Sequence, residues 1–304
     1  MLAPTTPLLR PILEEDLTDV GRFLHEHLDD RLSAEDWAAA ARVPWDVDAP
    51  NLGYQLAVGD RVVGVQLAFY STRTHSTSHH STPHHSTPSA GEQVERICNV
   101  GAWCVEEAYR AHGLRLLRAL LAQRGYTFTD LSPSGNVVAL NERLGFRRVD
   151  TPTSLTPALP WAPRRGTRVS SDPRVIERTL HGRDLEVYRD HRHTAAARHV
   201  VLMCGDDYCY VLLRRDARKG VRCFGTILHA SNPDLLRSAL RPLAAHLLMR
   251  HGVAAVLVED RIAGGRPRGG VVLRRLQRPK MARGQDLSPD RIDYLYSELT
   301  CVAW

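Results

Sequence analysis

The chain has 304 residues, of which 43% are hydrophobic and 24% charged, values that are ordinary for a globular protein with a core. No stretch approaches the roughly 20 apolar residues that cross a bilayer, and the start lacks the regions of a signal peptide, so we expect a cytoplasmic protein without a membrane partner. The formal net charge is +6, and all basic residues except Lys219 and Lys280 are arginines. Acidic residues are interspersed among them, which argues against a dedicated nucleic-acid surface.

Residues 1–150 predict a mixed α/β domain. The run Leu8–Ile12 is extended, Leu17–Leu28 has helical spacing, and Ser33 is placed to cap a second, short helix. Six further elements follow in this domain: strands at Gln55–Val58 and Val62–Tyr70, an extended run at Val94–Val105, a helix at Leu114–Gln123, a strand at Tyr126–Leu131 and a helix at Asn136–Leu144. A last strand runs through Val149.

A repeat of His, Ser, Thr and Pro occupies residues 75–88 inside this domain. Such a composition cannot form a core, so we predict a disordered hairpin loop at residues 74–89. No carboxylate or thiolate lies within the tract, and the six cysteines contain no CxxC pair. We therefore predict no bound metal, and we expect the cysteines to be buried free thiols.

A Pro-rich stretch at residues 151–173 is predicted to be a linker that leads to a second α/β domain at residues 174–304. Its predicted elements include strands at His199–Met203, Tyr208–Arg214 and Cys223–His229 and a helix that begins at Pro233 with Asn232 as its cap. Residues 116–131 and 240–259 both run helix, basic residue, glycine and strand, which favours a tandem of two related units.

The most informative motif lies at residues 103–121, WCVEEAYRAHGLRLLRALL. It resembles the GNAT N-acetyltransferase superfamily, in which a strand ending in valine is followed by Tyr-Arg and by Q/R-x-x-G-x-G/A leading into a helix. Val105, Tyr109, Arg110 and Gly113 match this pattern, and Asn141–Phe146 resembles the family's closing Y-E-K-L-G-F element. The resemblance covers about residues 8–150 and implies a GNAT-like acyltransferase fold with acetyl-CoA or another acyl-CoA as co-substrate. The second domain lacks the motif, so we interpret it as a degenerate GNAT-like unit.

A turn between a strand and a helix N-terminus presents backbone N–H groups and the positive end of the helix dipole, which together favour a pyrophosphate. The strand itself can pair with an extended pantetheine arm. The predicted cofactor-binding residues are Trp103, Cys104, Val105, Arg110, Ala111, His112, Gly113, Leu114, Arg115 and Asn136.

Two positions depart from the family pattern. Arg115 stands where the resemblance implies glycine or alanine, and it either adds a phosphate contact or blocks the site. Asn141 stands where the family has a tyrosine acid, and an amide can orient a thiol but cannot protonate it. Glu95 and Asn99 share one face of the strand before the motif, and Glu95 is the predicted base. The predicted catalytic set is therefore Glu95, Asn99 and Asn141.

The leading hypothesis is transfer of an acyl group, acetyl in the first instance, from acyl-CoA to an amine of a small-molecule acceptor by direct attack. A hydroxyl acceptor stays open, as does a homodimer. Two alternatives remain: a weakly active or inactive GNAT-scaffold binding protein, which Asn141 and Arg115 favour, and an Arg-rich nucleic-acid-binding protein. The second domain is expected to shape the acceptor pocket or a dimer surface.

Overall fold

The computed structural model describes residues 6–75, 93–161, 166–218, 221–273, 279–285 and 291–303. The predicted loop at 74–89 lies outside these ranges apart from its first two positions, which continue a strand. Each half of the chain contains helices and strands, and the strands form two seven-stranded sheets.

The first half contains the strands β1 (Leu8–Pro11), β2 (Gly53–Val58), β3 (Arg61–His75), β4 (Gln93–Val105), β5 (Tyr126–Asp130), β6 (Arg147–Val149) and β7 (Thr153–Pro157). Its helices are α1 (Leu17–His27), α2 (Ala34–Ala41), α3 (Gly113–Leu121) and α4 (Gly135–Arg143), with 3₁₀ turns at Glu14–Asp16 and Glu107–His112. The predicted cap of α2 is confirmed, because the Asp36 amide donates to Ser33 Oγ at 3.1 Å.

The second half contains the strands β8 (Thr167–Ser170), β9 (Ala197–Cys204), β10 (Asp207–Arg218), β11 (Val221–Ala230), β12 (Ala255–Glu259), β13 (Val271–Leu273) and β14 (Lys280–Arg283). Its helices are α5 (Pro173–Thr179), α6 (Gly182–His191), α7 (Pro233–Ser238), α8 (Leu240–His251) and α9 (Glu298–Cys301). Asn232 caps α7 as predicted, accepting from the Leu235 amide at 3.0 Å. The single helix predicted to follow it is instead divided into α7 and α8 at Ala239.

The two sheets share one strand order. Sheet A runs β1-β2-β3-β4-β5-β14-β6, and sheet B runs β8-β9-β10-β11-β12-β7-β13. Neighbouring strands are antiparallel in both sheets except for one parallel pair in each, β4 with β5 and β11 with β12. This repetition is consistent with a tandem arrangement.

Each half also donates one strand to the sheet of the other. β14 inserts between β5 and β6, with Met281 opposite Asp130 and Arg148, while β7 inserts between β12 and β13. The ranges predicted as 1–150, 151–173 and 174–304 therefore do not follow the sheets. The stretch predicted to be a linker contains β7 and β8, which the sequence pattern missed because these strands are short and rich in Thr, Ser and Pro.

The cores follow from this architecture. One buried cluster packs α1 and α2 on sheet A, another packs α3 and α4 on its opposite face, and a third packs α7 and α8 on sheet B. A fourth joins the halves, with Val149 and Ala282 of sheet A packed beside Val201 and Leu212 of sheet B and Leu299 of α9. The halves thus share a core as well as strands.

Candidate active site

A chamber opens where β4 and β5 separate. The two strands pair from Arg96 with Tyr126 as far as Asn99 with Thr129 and then diverge, leaving a cavity of about 760 Å³. One wall is formed by Val100–Trp103 of β4 with α3, α4 and the loop after β5, and the other by sheet B, β14 and α9. A cavity of this size is typical of a small-molecule site. It lies at the carboxyl ends of parallel strands, where ligands bind in many α/β sheets.

A β-bulge shapes the β4 wall. Gln66 of β3 lies opposite Trp103 and Ala68 lies opposite Val100, so Gly101 and Ala102 together face a single residue of β3. A side chain at Gly101 would begin 2.5 Å from the Phe69 ring and 3.3 Å from Glu298 Oε2. Only glycine fits there, and the carboxylate of Glu298 therefore lies directly against the β4 backbone.

Glu298 is the first residue of α9 and is buried in the chamber wall. Its backbone N–H donates to Asn99 Oδ1 at 2.9 Å, and the Ser132 hydroxyl donates to its Oε1. Burial, followed by the nearby Asp130 carboxyl, raises the pKa of Glu298 to about 7. A carboxylate with such a pKa is suited to accept a proton near neutral pH.

Asp130 ends β5 in the same wall. Its Oδ2 accepts from Asn141 Nδ2 at 2.7 Å, and its Oδ1 accepts from the Ser132 amide at 3.3 Å. Burial raises the pKa of Asp130 to about 6, with these two hydrogen bonds opposing the shift. Asp130 and Glu298 consequently form a close pair of carboxyl groups that both favour protonation.

Because Glu298 is buried beside Asp130, the stability of the fold should depend on pH. The folded chain holds the Glu298 proton more tightly than the unfolded chain, so the free energy of unfolding falls as pH rises from about 4.5 to about 7. The charged groups acting on Glu298 are Asp130, Arg214 and Lys280. Glu298→Gln removes the ionisation but keeps the shape, and we expect it to stabilise the protein at pH 8 by on the order of 1–3 kcal/mol and hardly at all at pH 4. Urea unfolding at both pH values measures the difference, and equal effects at both would contradict it.

The predicted cofactor turn is more helical than expected. The residues after β4 form a 3₁₀ turn, and α3 begins at Gly113, whose N–H already donates to the Arg110 carbonyl. Arg110 is exposed and pairs with Glu107 at 3.8 Å. Arg115 turns away from the chamber and donates to the Pro7 carbonyl at 2.9 Å. It is not among the chamber-lining residues, so it neither blocks the chamber nor contributes to it.

The other predicted cofactor residues divide by environment. Trp103 lines the chamber, and a side chain at Gly113 would begin 3.6 Å from its ring and 3.3 Å from Val105. Cys104 contacts the His27 carbonyl at 3.3 Å, and burial raises its pKa, as expected of a structural thiol. Ala111 and Asn136 are exposed, whereas His112 and Leu114 are partly buried. Tyr109 is buried beside Leu116 and anchors the turn.

Apart from Arg214 Nε, which is ion-paired with Asp216, two polar atoms in chamber-lining residues have no hydrogen-bond partner within the described ranges, Gln66 Oε1 and Trp103 Nε1. They belong to residues that lie opposite each other on β3 and β4, and Gln66 Nε2 is already bound to the Gly101 carbonyl at 2.6 Å. One orphan is an acceptor and the other a donor, which matches the two polar groups of an amide. The residues present therefore fit a ligand that carries amides along β4, as a pantetheine arm does.

The predicted catalytic residues are only partly brought together. Asn141 lines the chamber and holds Asp130. Asn99 is buried and binds both Thr129 and the amide of Glu298, so it positions the Glu298 carboxylate. Glu95 lies near the start of β4, accepts from the Thr127 hydroxyl at 2.8 Å, pairs with Arg291 at 3.7 Å and does not line the chamber. The structure thus places the predicted base away from the cavity.

No cluster of three or more His, Cys, Asp or Glu residues that could hold a metal ion occurs within the described ranges. None of the helices described is long and apolar enough to cross a membrane.

No protein-family model matches the sequence, and a comparison with curated proteins finds no match. Solved structures do match. A GCN5-related N-acetyltransferase of Anabaena variabilis is 11% identical with a TM-score of 0.54, covering 91% of this chain and 72% of its own. A GCN5-related N-acetyltransferase of Kribbella flavida is 13% identical with a TM-score of 0.51, covering 93% and 72%. The chain has a GNAT acyltransferase fold. N-myristoyltransferase of Saccharomyces cerevisiae, solved with bound myristoyl-CoA, is similar over 99% of this chain and 86% of its own, at 10% identity and a TM-score of 0.51.

The GNAT fold extends the resemblance noted at residues 8–150 to nearly the whole chain, because these matches cover more than nine-tenths of it. The sequence missed Glu298, Asp130 and Lys280 as chamber residues. Glu298 lies 199 positions from Asn99 and 166 from Ser132, its two hydrogen-bond partners. One signal was available, since Asp130 is the last residue but one of the predicted strand Tyr126–Leu131, which leads directly into the polar loop Ser132–Asn136, where site residues are often found.

Proposed function

We propose that the protein transfers an acyl group from acyl-CoA to an amine bound in the chamber. The observation that supports this most directly is the position of Glu298. Its carboxylate, with a pKa near neutrality, lies against the β4 bulge at the point where β4 and β5 separate. The likeness to acyltransferases in fold, together with the orphan donor and acceptor beside β4, supports acyl-CoA as the donor.

In the proposed reaction the amine attacks the thioester carbonyl carbon, forming a C–N bond while the C–S bond breaks and its electron pair moves to sulfur. Glu298 accepts the proton that the amine loses. Asn141 cannot donate a proton to the departing sulfur, but a thiol with a pKa of about 8.5 is a tolerable leaving group without an acid. Backbone N–H groups at the β4 bulge are the candidates for stabilising the oxyanion.

We place the acceptor against the second wall of the chamber, where Thr226, Leu228 and Leu257 of sheet B meet Glu298 and Leu299 of α9. This arrangement would give the first half the acyl donor and the second half the acceptor. Acetyl as the acyl group and a cytoplasmic location stay predictions from the sequence.

Titration calorimetry with acetyl-CoA and longer acyl-CoAs, combined with a CoA-release assay on a panel of amines, tests the proposal. Binding with turnover supports it. Binding without turnover on any amine would favour the alternative of a binding protein on the same scaffold. Absence of binding would contradict the proposal altogether.

The position of Gly113 gives a sharper prediction for the donor site. Valine there would extend beyond a Cβ that already lies 3.3 Å from Val105 and 3.6 Å from Trp103, so it would displace the tryptophan that lines the chamber. We expect Gly113→Val to weaken CoA binding at least tenfold, about 1.4 kcal/mol. Calorimetry measures the change.

Gly135→Val is the matched control, because Gly135 also begins a helix but has no atom within 4 Å of an added Cβ. It should bind CoA like the wild type. Equal affinity in the wild type and Gly113→Val would contradict the donor assignment.

A further inference from the structure

Most charged groups around the chamber are already paired. Arg31 Nε donates to Asp29 Oδ1 at 2.8 Å, and Arg214 lies 2.7 Å from Asp216. Glu259 forms an ion pair with Arg261 at 2.8 Å and accepts a hydrogen bond from the Tyr294 hydroxyl at 2.7 Å. These groups satisfy one another, so they leave little net charge for a ligand to neutralise.

Lys280 of β14 is the exception among the cations. It lines the chamber and forms no ion pair with any of the described residues. Burial lowers the pKa of Lys280 and the nearby Arg214 acts in the same direction, while Glu259, Asp216 and Glu298 favour its charge from a distance. Its ammonium donates to the Leu131 carbonyl and lies 5.1 Å from the centre of the Tyr294 ring. An ammonium has three N–H donors, so two remain for another acceptor.

Asp130 and Glu298 are the exceptions among the acids, because neither forms an ion pair with an arginine or lysine in the described part of the chain. They also lie near Lys280 in the folded chain, since Lys280 acts electrostatically on both carboxyl groups. Lys280 binds the carbonyl of Leu131, and the next residue, Ser132, donates its hydroxyl to Glu298. Lys280 and Glu298 thus contact neighbouring residues of the loop that follows β5, and both can form further hydrogen bonds.

We infer that the acceptor is a zwitterion, an amine that also carries a carboxylate, as an amino acid does. The carboxylate would bind the free N–H groups of Lys280 while the amino group meets Glu298. This inference rests on the proposed function and goes beyond it by assigning the class of acceptor. A plain amine would bring a second positive charge beside the buried Lys280 ammonium and would leave its two remaining N–H groups without an acceptor.

Matched acceptor pairs test the inference. The CoA-release assay is run with each common amino acid and with the amine that its decarboxylation gives. We expect the wild type to prefer at least one amino acid over its decarboxylated partner by tenfold or more in kcat/KM. Lys280→Met should abolish that preference, mainly through a higher KM for the amino acid, and should lower kcat/KM for the amino acid at least tenfold more than kcat/KM for the decarboxylated amine.

Two further variants control the result. Lys280→Arg keeps the charge and should keep part of the preference, which shows that a loss in Lys280→Met is not a folding defect. Arg31→Met removes a lining cation that is already paired with Asp29 and should leave the preference intact. Equal use of both members of every pair by the wild type, or an equal loss for both in Lys280→Met, would overturn the inference.

A failure of the proposed function gives a different pattern. If no amine is acylated, calorimetry of the same pairs on the CoA-saturated protein decides the inference by itself. Amino-acid binding that Lys280→Met abolishes would support the zwitterion site without catalysis. Binding that does not depend on the carboxylate would reject it.

Discussion

Replacing Glu298 by glutamine is expected to lower kcat by roughly 10²–10⁴, the range typical of losing a general base. Glutamine keeps the size of the side chain and can still accept from the Ser132 hydroxyl, so the α9 start should remain in place. It cannot accept the proton of the attacking amine. The deficit should shrink as pH rises, because a growing fraction of the amine is then deprotonated in solution. CoA release over pH 6 to 10 measures both effects.

Glu95→Gln is the control for this prediction. Glu95 is a partly buried carboxylate of β4, but it binds Thr127 and Arg291 outside the chamber. We expect its kcat to stay within about threefold of the wild type. A large loss of kcat in Glu95→Gln, together with a kcat near that of the wild type in Glu298→Gln, would show that Glu95 is the base, as the sequence predicted.

The second large effect concerns a chain that ends at Asp150. Such a fragment lacks β14, so β5 and β6 lose the strand that pairs with both, and it lacks α9 and Glu298. Without the buried Met281 and Ala282 the core would be incompletely filled, and the unpaired edges of β5 and β6 would promote association. We expect no cooperative unfolding transition, poor solubility and no activity. Circular dichroism during heating and gel filtration show the outcome.

Fragment complementation separates strand exchange from simple truncation. Fragments 1–161 and 166–304 together contain both exchanged strands and should reassemble into an active complex when produced in one cell. A second fragment shortened to 166–279 lacks β14 and everything after it, so it should not form an active complex with fragment 1–161. A stable, monomeric and active 1–150 fragment would contradict the dependence on β14.

The sequence predicted the local features of the fold well because they depend on neighbouring residues. The extent of α1, the cap at Ser33 and the β4–α3 unit with Gly113 follow from spacing, capping and turn chemistry over a few positions. These are the features that local propensity and hydrophobic pattern determine.

What the sequence did not predict depends on distant pairing. β14 consists of the four residues Lys280–Arg283, which carry no alternation of their own and become a strand only between β5 and β6. Glu298 lies in a four-residue helix and obtains its chemistry from Asn99, Ser132 and Asp130. Burial by another part of the chain, rather than local spacing, makes it a candidate base.

The exchanged strands also set the order of events during synthesis. β6 ends at Val149, but sheet A cannot close until Arg283 has been made, 134 residues later (283 − 149). At the usual rate of about 5–20 residues per second, this corresponds to roughly 7–27 s. Throughout that interval the place of β14 between β5 and β6 is empty, and the β4 wall of the future chamber is exposed. The chamber can therefore form only after almost the whole chain has been synthesised, so a prematurely terminated product would not contain it.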